Sequence, residues 1–356
     1  MMMNAVTSAL KPAAESAPRR RELTLPSAAE LRAAIPLEPV LAARVERQRE
    51  AIRDVLAGRD ERLLVVVGPC SIHDPDAALE YAERLAALQA SVADRLLLVM
   101  RVYVEKPRTT VGWKGLAYDP HLDGSDDMAA GLASARRLMR DVAALGLPVA
   151  TELLQPMAAA YFDDLLSWVA IGARTTESQI HRELASGLDA CVGFKNGTQG
   201  NVDVAVAAMQ SAAHAHRHFG VTAEGTPAMI ETPGNPFTHL VLRGGQDGPN
   251  HDAASIAASR RALEAAGLTP RLMVDCSHAN SRKDHRRQTE VLHSVVDQRL
   301  AGERALMGVM LESHLFEGKQ PLNPAALRYG VSITDACLGW ETTAQQLMRA
   351  AERLRG

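Results

Sequence analysis

Eight short aliphatic runs recur along the chain, at 63–67, 96–100, 148–152, 169–172, 191–194, 239–242, 272–274 and 306–311. Runs this short, rich in branched residues and apolar on both faces, suit strands of a parallel sheet covered by helices. Between them the apolar spacing becomes helical. Helices are predicted over about 38–58, ending at Gly58, and then from Asp74-Pro75, where an N-cap meets a first-turn proline. Further helices are predicted over about 126–145, near 158–167, from near Thr176, near 203–217, near 252–266, near 284–301 and over about 341–354. Eight strand–helix alternations predict a closed (β/α)8 barrel. An open doubly wound sheet is the runner-up, but Gly68-Pro-Cys-Ser71 after the first strand is not its glycine fingerprint.

Two segments fall outside the rhythm. Residues 1–38 open with Ala, Ser and Pro around a basic Arg19-Arg20-Arg21 cluster and show no sustained period, which predicts a flexible N-terminal arm before a single domain over 39–356. Residues 219–238 interrupt the alternation with Gly225-Thr226-Pro227 between short apolar pairs, the pattern of an inserted β-hairpin.

Composition narrows the classes. A chain of 356 residues that is 47% hydrophobic can bury a large core. Its formal net charge of −3 excludes a general nucleic-acid binder, so basic residues are concentrated locally. Four cysteines in this length are not a disulfide framework and point to reduced thiols in the cytoplasm. No apolar run reaches membrane-span length, and charged residues with Pro26 follow the arginine cluster, so neither a membrane anchor nor export is expected.

The ends of the apolar runs carry the chemistry. Cys70, Arg101, Glu152, Arg174, Lys195, Arg243, Asp275 with His278, and Glu312 each follow a run directly or closely. In a barrel these ends share one rim, where active sites are built. Arg101, Lys106 and Arg108, with Thr109 and Thr110, gather around Pro107 after the second run, the composition of a pocket for phosphate or carboxylate oxygens. Cys70, His278, Glu312 and Asp335 offer a thiolate, an imidazole and two carboxylates, a donor set suited to one divalent ion such as Mn²⁺, Fe²⁺, Co²⁺ or Zn²⁺. His314 lies on the same side of its strand as Glu312 and competes as a ligand. His214, His216 and His218 read as decoration of an exposed helix end, and Cys191 and Cys276 as packing residues.

Several motifs, in one order from about residue 40 to the C-terminus, resemble the type I 3-deoxy-D-arabino-heptulosonate 7-phosphate (DAHP) synthases. They are Gly68-Pro-Cys-Ser-Ile-His-Asp74, Arg101 to Gly115, Ile171-Gly-Ala-Arg-Thr-Thr-Glu-Ser178, Gly193-Phe-Lys-Asn-Gly197, Leu242-Arg-Gly-Gly245, Ser277-His-Ala-Asn-Ser281, Glu312-Ser-His314 and Ser332-Ile-Thr-Asp-Ala-Cys337. The resemblance implies a TIM barrel that condenses phosphoenolpyruvate with erythrose 4-phosphate and water, giving DAHP and phosphate, the entry to the shikimate route. It implies that Arg101, Lys106, Arg174, Lys195 and Arg243, with Glu152 beside them, hold phosphoenolpyruvate. Arg108 and Thr109 would take the phosphate of the aldose. Cys70, His278, Glu312 and Asp335 would bind the metal. Lys106, Asp335 and His278 would serve catalysis, with Lys106 donating a proton to the developing alkoxide and Asp335 or Glu152 activating water. A homodimer or homotetramer inhibited by an aromatic amino acid is further implied, with Gly220 leaning toward tyrosine.

Two other readings compete. A 3-deoxy-octulosonate 8-phosphate synthase would use a longer sugar phosphate, whereas the Lys106-Pro-Arg-Thr109 loop favours the shorter aldose. A non-catalytic sensor of aromatic amino acids would not need the full set of metal ligands and cations.

Overall fold

In the computed structural model, which describes residues 22–356, eight parallel strands close into a barrel. They are β1 (Leu63–Gly68), β2 (Leu96–Arg101), β3 (Val149–Glu152), β4 (Leu166–Ile171), β5 (Cys191–Lys195), β8 (Thr238–Leu242), β9 (Leu272–Asp275) and β10 (Leu306–Glu312). The order around the barrel is β1-β10-β9-β8-β5-β4-β3-β2, so β1 pairs with both β10 and β2. The two strands missing from that order, β6 (His216–Val221) and β7 (Pro227–Thr232), pair only with each other, antiparallel. They form the expected inserted hairpin.

Strand alternation divides the core into two shells. Leu63, Val65 and Val67 of β1 face outward into the layer packed under the helices, while Leu64 and Val66 face the barrel axis. The axis is filled by Val99, Trp168, Val241, Met273 and Met307, so the barrel is packed and not a pore. Helix α2 (Pro39–Ala57) plugs the N-terminal end, adding Ile52, Val55 and Leu56 to the axial cluster. It stops at Gly58, whose φ of +74° suits a residue without Cβ. Burying each of these aliphatic side chains contributes roughly 1.5–3 kcal/mol. What remains for function is the opposite rim.

The outer layer holds α3 (Pro75–Val92), α4 (Met128–Ala144), α5 (Ala159–Phe162), α6 (Gln179–Ser186), α7 (Asp203–Ala212), α8 (Ala253–Ala265), α9 (Gln288–Leu300) and α10 (Trp340–Arg355). Asp74 caps α3 by accepting from the amides of Asp76 and Ala77.

Three sequence expectations change. The helix expected near 158–167 breaks into the single turn α5 between two 3-10 turns, because the apolar residues from Leu166 are drawn into β4 beside β3. The helix expected over 203–217 ends at Ala212, where Asn235 donates its amide to the Ala212 carbonyl, and His216 and His218 lie on β6. Within the stretch expected to be a flexible arm, Ala28–Ala34 forms a helix, α1. Ser27 and Glu30 close a reciprocal capping box at its start. Arg32 then bonds the Ala160 carbonyl and Asp163, and Tyr161 donates to the Pro26 carbonyl at 2.6 Å. The basic Arg19-Arg20-Arg21 cluster lies outside the described residues.

Candidate active site

The strand ends converge as barrel geometry requires. A cavity of about 300 Å³ opens at the C-terminal rim. It is lined by Arg101, Lys106, Arg108, Thr109, Glu152, Arg174, Lys195, Arg243, His278, Glu312 and Asp335. Cys70, fully buried, meets two of these residues through its Sγ, 2.8 Å from Lys106 Nζ and 3.5 Å from Asp335 Oδ2.

Arg101 ends β2 and is buried with its guanidinium 3.2 Å from Glu312 Oε1 and 3.9 Å over the Tyr103 ring. The chain then loops out and returns, and the Lys106 amide bonds the Lys114 carbonyl at 2.8 Å to close the loop's base. Gly115 makes that return fit: its φ is +117°, and a Cβ there would lie 2.2 Å from the Val104 carbonyl oxygen. Inside the loop, Thr109 accepts from Arg174 at 3.2 Å, joining the β2 and β4 ends. Gly172, after β4, leaves room for Glu152, whose Oε1 a Cβ would meet at 2.1 Å. Lys195, ending β5, bonds Asp275 Oδ2 at 2.9 Å.

Cys70, Glu312 and Asp335 bring a sulfur and two carboxylate oxygens within 4.8 Å of one another, a grouping that could hold a metal ion. The Lys106 ammonium sits among these donors, 2.8 Å from Cys70 Sγ and 3.0 Å from Asp335 Oδ2. A cation therefore fits this spot electrostatically. His278 does not join the mutual cluster, although its ring lines the same cavity. Its φ is +57°, and its Nδ1 is drawn to Asp275 Oδ2 at 2.9 Å and to Ser277 Oγ at 2.7 Å. His314 points away from the cluster's chemistry: its Nδ1 accepts from the Leu315 amide and its ring packs against Tyr81 and His73. The His214 and His216 rings bond α7 carbonyls, and no metal-holding grouping among the described residues includes them.

The electrostatics follow from crowding. Burial opposes a charge on Lys106, but Cys70, Glu312 and Asp335 outweigh it and raise its pKa above the usual lysine range. Burial would raise the Asp335 carboxyl, yet the neighbouring Lys106 ammonium holds it down at about 2. Burial, then Glu312, push the Cys70 thiol to about 11. Arg243 is lowered by burial.

Asp275, read from the sequence only as a strand-end residue of the rim, and three groups the sequence reading did not single out support the site. Asp275 holds Lys195 and His278 together. Gln288 bonds both the amide and the carbonyl of Glu312, at 2.8 and 3.0 Å. Asn196 accepts the Arg243 amide at 2.9 Å. Glu105, buried next to Lys106, accepts from Tyr118 and from the amides of Leu154 and Gln155. For Gln288, Asn196 and Glu105 these partners are distant in the chain, as Lys195 is from Asp275, so no local spacing announces the contacts.

Burial raises the Glu105 pKa to about 7 against an ordinary value of 4.5. The folded form therefore keeps a proton that the unfolded chain loses between pH 4.5 and 7. With the unfolded state binding fewer protons there, stability falls as pH rises through that window, by roughly 3 kcal/mol from this group. Glu105→Gln is expected to flatten that part of the stability profile, read by urea unfolding at pH 5 and pH 7.5. An unchanged slope would remove Glu105 as its source.

Residues 40–348 match the model of the DAHP synthetase I family. The chain is 53% identical over 337 residues to the Tyr-sensitive phospho-2-dehydro-3-deoxyheptonate aldolase of Escherichia coli, covering 94% of each chain. It is 52% identical over 316 residues to the Phe-sensitive aldolase of the same organism, covering 88% of this chain and 90% of that one. A solved phospho-2-dehydro-3-deoxyheptonate aldolase structure from Francisella tularensis superimposes with a TM-score of 0.93 at 44% identity, covering 95% of this chain and 99% of the other.

Proposed function

Because this chain belongs to the DAHP synthetase I family and condenses phosphoenolpyruvate with erythrose 4-phosphate and water to DAHP and phosphate, we propose that the cationic cavity at the barrel rim is where it does so. The observation that carries this reading is the gathering of Arg101, Lys106, Arg174, Lys195 and Arg243 around one cavity of about 300 Å³. Two polyanions repel each other in water. A preorganised set of guanidinium and ammonium groups offsets that repulsion and aligns the reacting carbons.

Arg101, Lys106, Arg174, Lys195 and Arg243 hold phosphoenolpyruvate, with Glu152 beside it, and Arg108 and Thr109 take the aldose phosphate. Cys70, His278, Glu312 and Asp335 hold one divalent ion, of the class Mn²⁺, Fe²⁺, Co²⁺ or Zn²⁺. When bound, such an ion supplies Lewis-acid polarisation of the aldehyde oxygen. As the methylene carbon of phosphoenolpyruvate bonds the aldehyde carbon, Lys106 gives a proton to the developing alkoxide. Water adds to the carbon bearing the phosphate, with Glu152 or Asp335 taking its proton, and phosphate leaves by C–O cleavage. Arg101 and Lys195, both buried, stay fixed through these steps by Glu312 and Asp275.

Tyr- and Phe-sensitive relatives support feedback inhibition by an aromatic amino acid, and Gly220 on the hairpin leans toward tyrosine. The enzyme works in the cytoplasm as a homodimer or homotetramer. Among the described residues no helix is long and apolar enough to cross a membrane. Phe219 and Met229, cross-strand neighbours on the hairpin and both exposed, give an apolar face for a subunit contact.

The test is phosphate release from phosphoenolpyruvate with either sugar, with and without chelator, and with each aromatic amino acid. Release with erythrose 4-phosphate should disappear on chelation and return with a divalent ion. Preference for arabinose 5-phosphate would move the enzyme to the octulosonate reaction. Binding of an aromatic amino acid without any phosphate release would leave only a sensor.

A further inference from the structure

We infer that Asp275 is a positioning residue that couples the two halves of the site, orienting His278 for the metal and Lys195 for phosphoenolpyruvate through one shared carboxylate oxygen. The inference rests on the roles proposed above for His278 and Lys195. Asp275 ends β9 and is fully buried. Its Oδ2 lies 2.9 Å from Lys195 Nζ and 2.9 Å from His278 Nδ1. Its Oδ1 accepts from the Ser277 amide and hydroxyl, each at 3.0 Å. An ionised carboxylate offers about four acceptor positions, and these partners use them.

This arrangement decides the tautomer of His278. A carboxylate accepts and does not donate, so the ring nitrogen facing it must carry the hydrogen. Ser277 Oγ, 2.7 Å from the same nitrogen, gives its own proton to Asp275 Oδ1 and so presents a lone pair to that N–H. Nε2 is left as the ring's only lone pair, the atom available to an ion. The left-handed backbone at His278, uncommon for a residue with a Cβ, is retained here and brings the ring against Asp275. Asn280 fixes the other side of the turn by donating to the Asp275 carbonyl at 2.9 Å. On the Lys195 side the same oxygen is the ammonium's counter-charge, keeping a buried cation in place between β5 and β9.

Removing this carboxylate should therefore weaken two kinds of binding at once. Partners that orient metal-bound histidines are typically worth 10–100-fold in metal affinity. The experiment uses the full chain with Mn²⁺ and, separately, phosphoenolpyruvate, measured by calorimetry on Asp275→Asn, His278→Ala and Lys195→Met. His278→Ala should weaken Mn²⁺ binding, and Lys195→Met should weaken phosphoenolpyruvate binding while leaving Mn²⁺ within a few-fold. Asp275→Asn should weaken both, Mn²⁺ by about 10–100-fold. A Co²⁺ absorption spectrum should shift in Asp275→Asn, a change that a general loss of packing would not produce at saturating ion. If His278→Ala leaves Mn²⁺ affinity intact, the proposed ligand set fails. If His278→Ala loses Mn²⁺ but Asp275→Asn retains both affinities, only the coupling role of Asp275 fails. Should Asp275→Asn not fold, Asp275→Glu serves instead, since one added methylene keeps the charge and breaks the shared contact; unchanged affinities there would also overturn the inference.

Discussion

Replacing Lys106 with methionine is expected to lower kcat by about 10²–10⁴, the span usual for loss of a positioned general acid. Methionine keeps most of the side-chain length and removes only the ammonium. That ammonium now lies 2.8 Å from Cys70 Sγ and 3.0 Å from Asp335 Oδ2, at the centre of the donor cluster. Its surroundings explain why it stays protonated: burial disfavours the charge, but the neighbouring Cys70, Glu312 and Asp335 favour it more. The fold should survive, because Asp335 is exposed at the rim and can be solvated without the lysine. Lys106→Arg should not restore the rate. A guanidinium's planar fork does not fit where a compact ammonium sits, so its N–H groups are not aimed as the Lys106 ammonium is. Phosphate-release kinetics combined with calorimetric binding of phosphoenolpyruvate separate the lost step from lost binding. A methionine variant within tenfold of the parent kcat would remove Lys106 from the proton transfer.

Lys106 also marks what could be read from the chain alone. The eight apolar runs betray the barrel because parallel strands buried on both faces must be aliphatic throughout, and each run then ends in a residue that the barrel delivers to one rim. Periodicity failed where two elements shared one apolar stretch. Ala159, Phe162 and Leu165 have helical spacing, but the run continues into β4, and pairing with β3 outweighs local propensity. The β6 strand carried no apolar period: His216, Arg217 and His218 are all polar and Phe219 is exposed, so the alternation of half-buried and exposed positions appears only in the fold. Ser27 and Glu30, by contrast, did spell a capping box before α1. No such signal exists for Glu105, Asn196 or Gln288, nor for the Asp275 contact with Lys195, although Asp275 itself was read as a strand-end residue. Each acts on a residue brought near by closure of the barrel, as Asp275 does on Lys195, 80 positions away.

The same blindness hides the residue whose loss should most damage stability. Arg136→Met is expected to destabilise the protein by about 3 kcal/mol, near the lower bound for breaking one side of a buried ion pair. Arg136 sits on α4 and is 1% exposed. Its guanidinium grips Asp164 with two bonds of 2.7 and 2.8 Å, and donates to the Tyr161 carbonyl at 2.8 Å and the Ile35 carbonyl at 2.9 Å. One side chain thus ties α4 to the α5 turn and to the link between α1 and α2. Methionine matches its apolar stem but leaves two buried carbonyls without a donor and a carboxylate without its cation. Asp164 keeps partial access to water, which holds the effect near that lower bound. At roughly 2 °C per kcal/mol for a chain this long, the apparent Tm should fall by about 6 °C. The control is Arg84→Met, which breaks an exposed pair with Glu80 one helical turn away and should cost less than about 1 kcal/mol. Since Arg136 does not line the active-site cavity, kcat per folded molecule should be unchanged. A Tm within 1 °C of the parent would show that the three elements are held by their apolar packing alone.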